Sequence, residues 1–195
     1  MNPQPGATVL SWSSRGDRRL ETVRAVITER GLRANGYLVD AGAEPYGGSY
    51  SLLVDAKGRT RRLSAQSDSI EGERHLSLTR TPGGPWVVES TSGSNPLYVL
   101  NDAVDIDLNA STFSHSLPLR RLAMLGHDQD LDRELTVVVA CVSFPTLAVR
   151  PVAHRYTFRT DGVVSYRGPD AEGDLTVDDQ HFVVDFPGSS RRVSG

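Results

Sequence analysis

The chain has 195 residues, 38% of them hydrophobic and 23% charged, with 21 basic against 24 acidic side chains and a formal charge of -3. Those proportions exclude a disordered chain, and the near balance of charge leaves no cationic field to gather nucleic acid or an anionic membrane surface. A chain of this length buries roughly 70% of its unfolded surface, enough for a core without disulfide or metal staples, so residues 1–195 read as one domain.

Met1 to Leu20 has no apolar centre and turns charged at Arg15, Asp17, Arg18 and Arg19, which is not the pattern of a secretory signal. Beyond it, short runs rich in Val, Leu, Thr and Tyr are separated by Gly, Pro, Asp and Asn, the pattern of antiparallel strands and their turns. Glu21 to Arg30 and Leu32 to Asp40 flank Gly31, while Ser49 to Asp55 and Thr60 to Gln66 flank Ala56-Lys57-Gly58-Arg59, so each pair reads as a hairpin. Arg18 to Thr28 also has a weak helical pattern, but Val23, Val26, Ile27 and Thr28 crowd a helix and favour a strand.

Further strands are expected at His75 to Arg80, Trp86 to Ser90, Leu97 to Leu100 and Ala103 to Leu108. One short helix is expected from Ser111 to about His115, capped by Asn109 or Ser111 and stopped or kinked by Pro118. Strands resume at Glu134 to Phe144, His154 to Arg159, Val163 to Tyr166, Asp174 to Val177 and His181 to Phe186. The predicted fold is therefore mainly β: a large antiparallel sheet, curled to limit its edges, around a single short helix. No stretch approaches the ~20 apolar residues of a membrane span. Cys141 is the sole cysteine, which argues for no oxidising compartment, and a cytoplasmic location is expected.

The familiar catalytic patterns, from the nucleophile elbow to the phosphate loop, do not occur. Asp128-Gln129-Asp130-Leu131-Asp132 starts like a calcium loop, but Arg133 replaces the required Gly and Val139 the bidentate Glu. His75, His115, His127, His154 and His181 show no metal-ligand spacing, so neither metal nor cofactor is expected. The informative stretch is Asp102 to Leu108, where strand alternation puts Asp105 and Asp107 on one face and Val104, Ile106 and Leu108 on the other. That face is either a solvated exterior or the wall of a binding pocket. Just downstream, Arg120 and Arg121 would face opposite ways in an extended backbone, one neutralising a carboxylate and the other free for solvent or a ligand phosphate.

From Trp86 onward the order and spacing of motifs resemble the bacterial putative glycolipid-binding family. The resemblance rests on the Asp-rich strand, Thr112-Phe113-Ser114-His115, Leu117-Pro118-Leu119-Arg120-Arg121-Leu122, Phe144-Pro145-Thr146-Leu147 and Val183-Val184-Asp185-Phe186-Pro187-Gly188. His115 stands where that family usually has Asn, and Ser189-Ser190-Arg191 replaces its aromatic-rich ending. The resemblance implies a homodimer, a distant likeness to lipoprotein-localisation carriers, and an acidic pocket formed by Asp105, Asp107 and Arg120 or Arg121. The reading that follows is non-catalytic binding of a glycolipid or other sugar-headed lipid, with Trp86, Tyr98 and Tyr156 as candidate lining; the charge balance and the lack of a membrane span predict no nucleic-acid or integral-membrane partner. Two other readings stay open. Asp105 and Asp107, about 6 to 7 Å apart along a strand, could be the acid/base pair of a hydrolase or isomerase acting on glycosides or glycolipids; or the chain is a dimeric scaffold with a packed interior.

Overall fold

The computed structural model describes residues 6–81, 83, 85–90, 93–160, 162–169 and 171–195. The first eight strands form a meander: β1 (Gly6–Ser14), β2 (Arg19–Thr28), β3 (Gly31–Asp40), β4 (Tyr46–Asp55), β5 (Thr60–Ser69), β6 (Gly72–Arg80), β7 (Trp86–Ser90) and β8 (Gly93–Leu97). A short 3-10 turn (Tyr98–Leu100) leads to β9 (Asp105–Leu108) and helix α1 (Phe113–Met124). The rest is β10 (Glu134–Ser143), β11 (Ala148–Phe158), β12 (Val163–Arg167), β13 (Glu172–Val177), β14 (Val183–Phe186) and β15 (Ser190–Ser194).

All fifteen strands join one curled sheet in the order β8-β7-β6-β5-β4-β3-β2-β1-β15-β14-β13-β12-β11-β10-β9. The sheet is held in its middle by β1 and β15, whose residues pair antiparallel at Trp12 with Arg192 and Ser14 with Ser190. Neither strand stands out in the sequence, because Gly6–Ser14 is diluted by Ser, Gly and Thr and Ser190–Ser194 has a single apolar residue. Backbone pairing with neighbours, and the burial of Trp12 with its indole N–H donating to the Val183 carbonyl at 2.9 Å, supply what the side-chain pattern lacks.

The long strands alternate. In β2 and β3, Val23, Ala25, Ile27, Leu32, Ala34 and Leu38 point inward, while Arg24, Arg33, Asn35 and Tyr37 lie on the outer face. Leu97–Leu100 is the exception: only Leu97 is in a strand, and the next three residues form the 3-10 turn that buries Leu100 and turns Tyr98 and Val99 outward.

The sheet is not wholly antiparallel. β9 runs parallel to β10, in register Val139 with Asp105 and Cys141 with Asp107, because α1 is the crossover between them, as a parallel pair requires. The helix is also longer than predicted. Pro118 lies inside it, costing the Ser114 carbonyl its intrahelical partner, yet Leu117, Pro118, Leu119 and Leu122 are all buried, and this packing carries the helix past the proline.

Helix α1 and β9 split the interior into two cores. Ile106, Leu108, Phe113 and Leu117 pack with Trp12, Leu38 and Trp86 on one side. Leu119 and Leu122 pack with Val139, Tyr156, Val164 and Phe186 on the other. The lead into β9 also bridges to the far end of the sheet. The Ala103 carbonyl accepts from the Trp86 indole at 3.0 Å and Arg80 at 2.7 Å, and the Thr60 amide donates to Val104 at 3.2 Å. No helix among the described residues is long and apolar enough to cross a membrane.

Candidate functional site

Both faces of β9 are covered, so Asp105 and Asp107 do not lie on a solvated exterior; Asp105 is 0% exposed and Asp107 8%. The strand and the helix run in opposite directions, and the register fits: Asp107 meets Ser114 in the first turn, Asp105 meets Arg121 two turns later. Arg121 donates to Asp105 through Nε at 3.0 and 3.2 Å and through an Nη at 2.7 Å, a forked pair with both partners buried or nearly so. Burial raises the Asp105 carboxyl above its ordinary value, with Arg121 and the more distant Arg80 acting the other way. This pair ties the helix to the strand and stands apart from the open cleft described below.

Asp107 does face a cleft. One Oδ accepts from the Ser114 hydroxyl at 2.7 Å, and the other lies 3.7 Å from Nε2 of His154 on β11. The far nitrogen of His154, Nδ1, is 3.4 Å from the Tyr156 hydroxyl, which is itself 3.5 Å from His115 Nδ1 on the helix. A polar chain thus runs from Ser114 through Asp107, His154 and Tyr156 to His115. Burial lowers the His115 pKa, with Asp107 acting the other way, and burial raises the Tyr156 hydroxyl well above its ordinary value.

Aromatic rings surround this chain. His115 stacks on His154 at 5.8 Å, and the edges of Tyr166 and Phe186 meet it at 5.0 and 5.1 Å. The cleft above them has a volume of about 210 Å³ and opens between the start of α1, β9, β11, β12 and β14. Asp107, His115, His154, Tyr166 and Phe186 form its inner part, with Ser111 and Thr112 at the helix start, and Arg19 and Arg150 belong to its lining.

The helix start is held by a residue the sequence did not single out. Glu21, buried on β2, accepts from the Thr112 amide at 2.7 Å and the Phe113 amide at 3.1 Å on one oxygen, and from the hydroxyls of Tyr50 (2.7 Å) and Ser111 on the other. Burial raises its pKa against these four donors. Ser111 also caps in its own right, its hydroxyl accepting from the Ser114 amide at 3.1 Å; Asn109 instead accepts from the Phe144 amide at 2.9 Å.

Of the residues expected at a pocket, Asp107 alone lines the cleft. Tyr156 sits behind it, fully buried, with its hydroxyl between the two histidines. Trp86 lies in the larger core with its N–H bound to Ala103. Arg120 and Arg121 diverge because they are consecutive on a helix, not on a strand: Arg121 takes Asp105, while Arg120 covers the Phe182 ring at 4.4 Å and donates to the Gln180 carbonyl. His154, Tyr166 and Phe186 were missed. The signal for His154 was the alternation Arg150, Val152, His154, Tyr156 along β11, which a search for metal-ligand spacing does not register.

The family model described as Putative glycolipid-binding matches residues 9–192. The chain belongs to this family. Among solved structures it is similar to a DUF1089 family protein from Pseudomonas aeruginosa, at 23% identity and a TM-score of 0.64, covering 96% of this chain and 94% of that one. It is also similar to a β-barrel-like protein of domain of unknown function DUF1849 from Brucella abortus, at 11% identity and a TM-score of 0.51, with the same coverage. These likenesses show the fold: a large curled sheet, barrel-like and not closed, around one helix. A comparison with curated proteins gave no match.

Proposed function

We propose that the cleft beside Asp107 receives the ring headgroup of a glycolipid and that the protein binds this ligand without transforming it. The observation that carries the reading is a nearly buried carboxylate, coupled to His154, set among the ring faces and edges of His115, Tyr166 and Phe186. A carboxylate accepts strongly from sugar hydroxyls, while aromatic carbon covers the apolar face of a sugar ring. The volume, about 210 Å³, lies below the ~300 to 1,000 Å³ of pockets that enclose drug-sized ligands, so it suits one ring and not an acyl chain. The interior between sheet and helix is packed with Trp12, Phe113 and Phe182.

The paired-aspartate hydrolase gains no support from the geometry, since the Asp105 carboxylate is bound to Arg121 and only Asp107 lines the cleft. We also propose a homodimer in the cytoplasm. Leu20 and Val39, paired across β2 and β3, and the adjacent Tyr37 are 49%, 57% and 65% exposed on the outer face, an apolar patch that a second copy would cover.

The reading is tested by vesicle flotation. Phosphatidylcholine vesicles carrying a ring-headed lipid, either monogalactosyldiacylglycerol or phosphatidylinositol, should retain the protein, and plain phosphatidylcholine should not. Asp107→Asn should weaken retention about tenfold, the loss of roughly one charged hydrogen bond. Equal retention of wild type and Asp107→Asn, or none by either ring-headed lipid, overturns it.

A further inference from the structure

Among the described residues, the lining of the cleft holds one carboxylate, Asp107, and two guanidinium groups, Arg19 at the start of β2 and Arg150 on β11. Asp107 sits at the inner end, already engaged with Ser114 and His154, whereas Arg150 is exposed and Arg19 half-buried. The cleft is therefore graded: hydrogen-bond acceptor and aromatic carbon within, positive charge further out.

The amide groups at the start of α1 are not the source of that positive end. Those of Thr112 and Phe113 are bound to Glu21, whose carboxyl lies behind the cleft wall. The arginines differ in this respect. Arg19 lies 3.9 Å from Asp40 and hydrogen-bonds the Tyr46 hydroxyl, yet a guanidinium has five N–H donors and can take a ligand while it holds protein partners, which applies equally to Arg150 and its own contacts.

Resting on the headgroup reading above, we infer that the ligand is anionic: a ring polyol bearing a phosphate, with ring hydroxyls directed at Asp107 and the phosphate between Arg19 and Arg150. Two sources supply that chemistry, a phosphoglycolipid headgroup and a free sugar phosphate. Planar forked donors suit phosphate oxygens, and two of them bordering a cleft that holds one ring select a monophosphorylated ring over a neutral one.

The test compares phosphatidylcholine vesicles doped with phosphatidylinositol (ring and phosphate), monogalactosyldiacylglycerol (ring alone) or phosphatidylglycerol (phosphate alone). Phosphatidylinositol should retain the protein at least about fivefold better than either. Arg19→Gln and Arg150→Gln should each lower that retention about tenfold, as expected for one lost charged contact, and lower galactolipid retention less, so that the preference for phosphatidylinositol narrows. Free myo-inositol 1-phosphate should compete. Stronger binding of the free phosphate than of any vesicle supports the anionic class with a soluble source. If the galactolipid matches phosphatidylinositol, the headgroup reading stands and the anionic inference falls. Phosphatidylglycerol matching phosphatidylinositol, with both arginine variants unaffected, also overturns it. If no ring-headed ligand binds, both fall.

Discussion

Replacing Arg121 of α1 by methionine should strongly destabilise the fold through its buried partner on β9. The Asp105 carboxylate is wholly buried and, among the described residues, its hydrogen bonds come from Arg121, so Arg121→Met leaves a charge in the interior with the more distant Arg80 to offset it. Removing one partner of a buried pair costs about 3 to 5 kcal/mol, a large part of the ~5 to 15 kcal/mol that holds a domain folded. At roughly 2 to 4 °C per kcal/mol for a chain of this size, the melting temperature should fall by roughly 10 °C. The loss should depend on pH in a set direction. The carboxyl's folded pKa already lies above its unfolded value and rises further without Arg121, so the loss is smallest at low pH and grows as pH rises toward the folded pKa. Replacing both members, as Asp105→Val with Arg121→Met, should recover much of the loss, since an apolar pair no longer buries a charge. Urea unfolding of the three variants at pH 5 and pH 8 reads all of this. A single-variant cost under about 1 kcal/mol, the range of exposed pairs, or an equal cost at both pH values, would refute the reasoning.

Three further outcomes follow from the same structure. Glu21→Ala leaves two helix-start amides and two hydroxyls without their buried acceptor, and should cost about 2 to 4 kcal/mol in urea unfolding, while Glu21→Gln, which keeps an acceptor oxygen, should cost less. Because burial lowers the His115 pKa below 6.5, the unfolded chain takes up protons first, so stability should decline as pH falls below about 6.5; His115→Phe should flatten that decline. Sedimentation velocity should show a dimer that Tyr37→Glu with Val39→Glu converts to a monomer; a wild-type monomer across the micromolar range would end the dimer proposal.

The sheet was legible because its long strands alternate cleanly, as in Val23, Ala25 and Ile27 against Arg24 and Val26. β1 and β15 were not, since their places are fixed by backbone pairing with distant neighbours more than by side-chain pattern. Pro118 misled for a related reason: local propensity stops a helix there, and tertiary packing of its neighbours overrides it. At the site, alternation put Asp105 and Asp107 on one face, but a shared face is not a shared environment. The helix separates them, giving one to Arg121 and the other to Ser114 and His154. That helix is also why Arg120 and Arg121 part ways. Glu21 and His154 come from strands distant in sequence; nothing near Glu21 marks its role, and the alternation along β11 that turns His154 inward does not say what it meets there.

The histidines offer a direct reading of where ligand sits. His115 and His154 belong to the cleft, whereas His75 lies beside a separate, shallower trough of about 640 Å³ on the outer face of β3 to β7. In a titration with glycerophosphoinositol followed by imidazole nitrogen resonances, His115 and His154 should shift together and saturate with one dissociation constant, and Asp107→Asn should weaken both. Shifts confined to His75, with His115 and His154 unmoved, would place the ligand in the trough and contradict the assignment of the cleft.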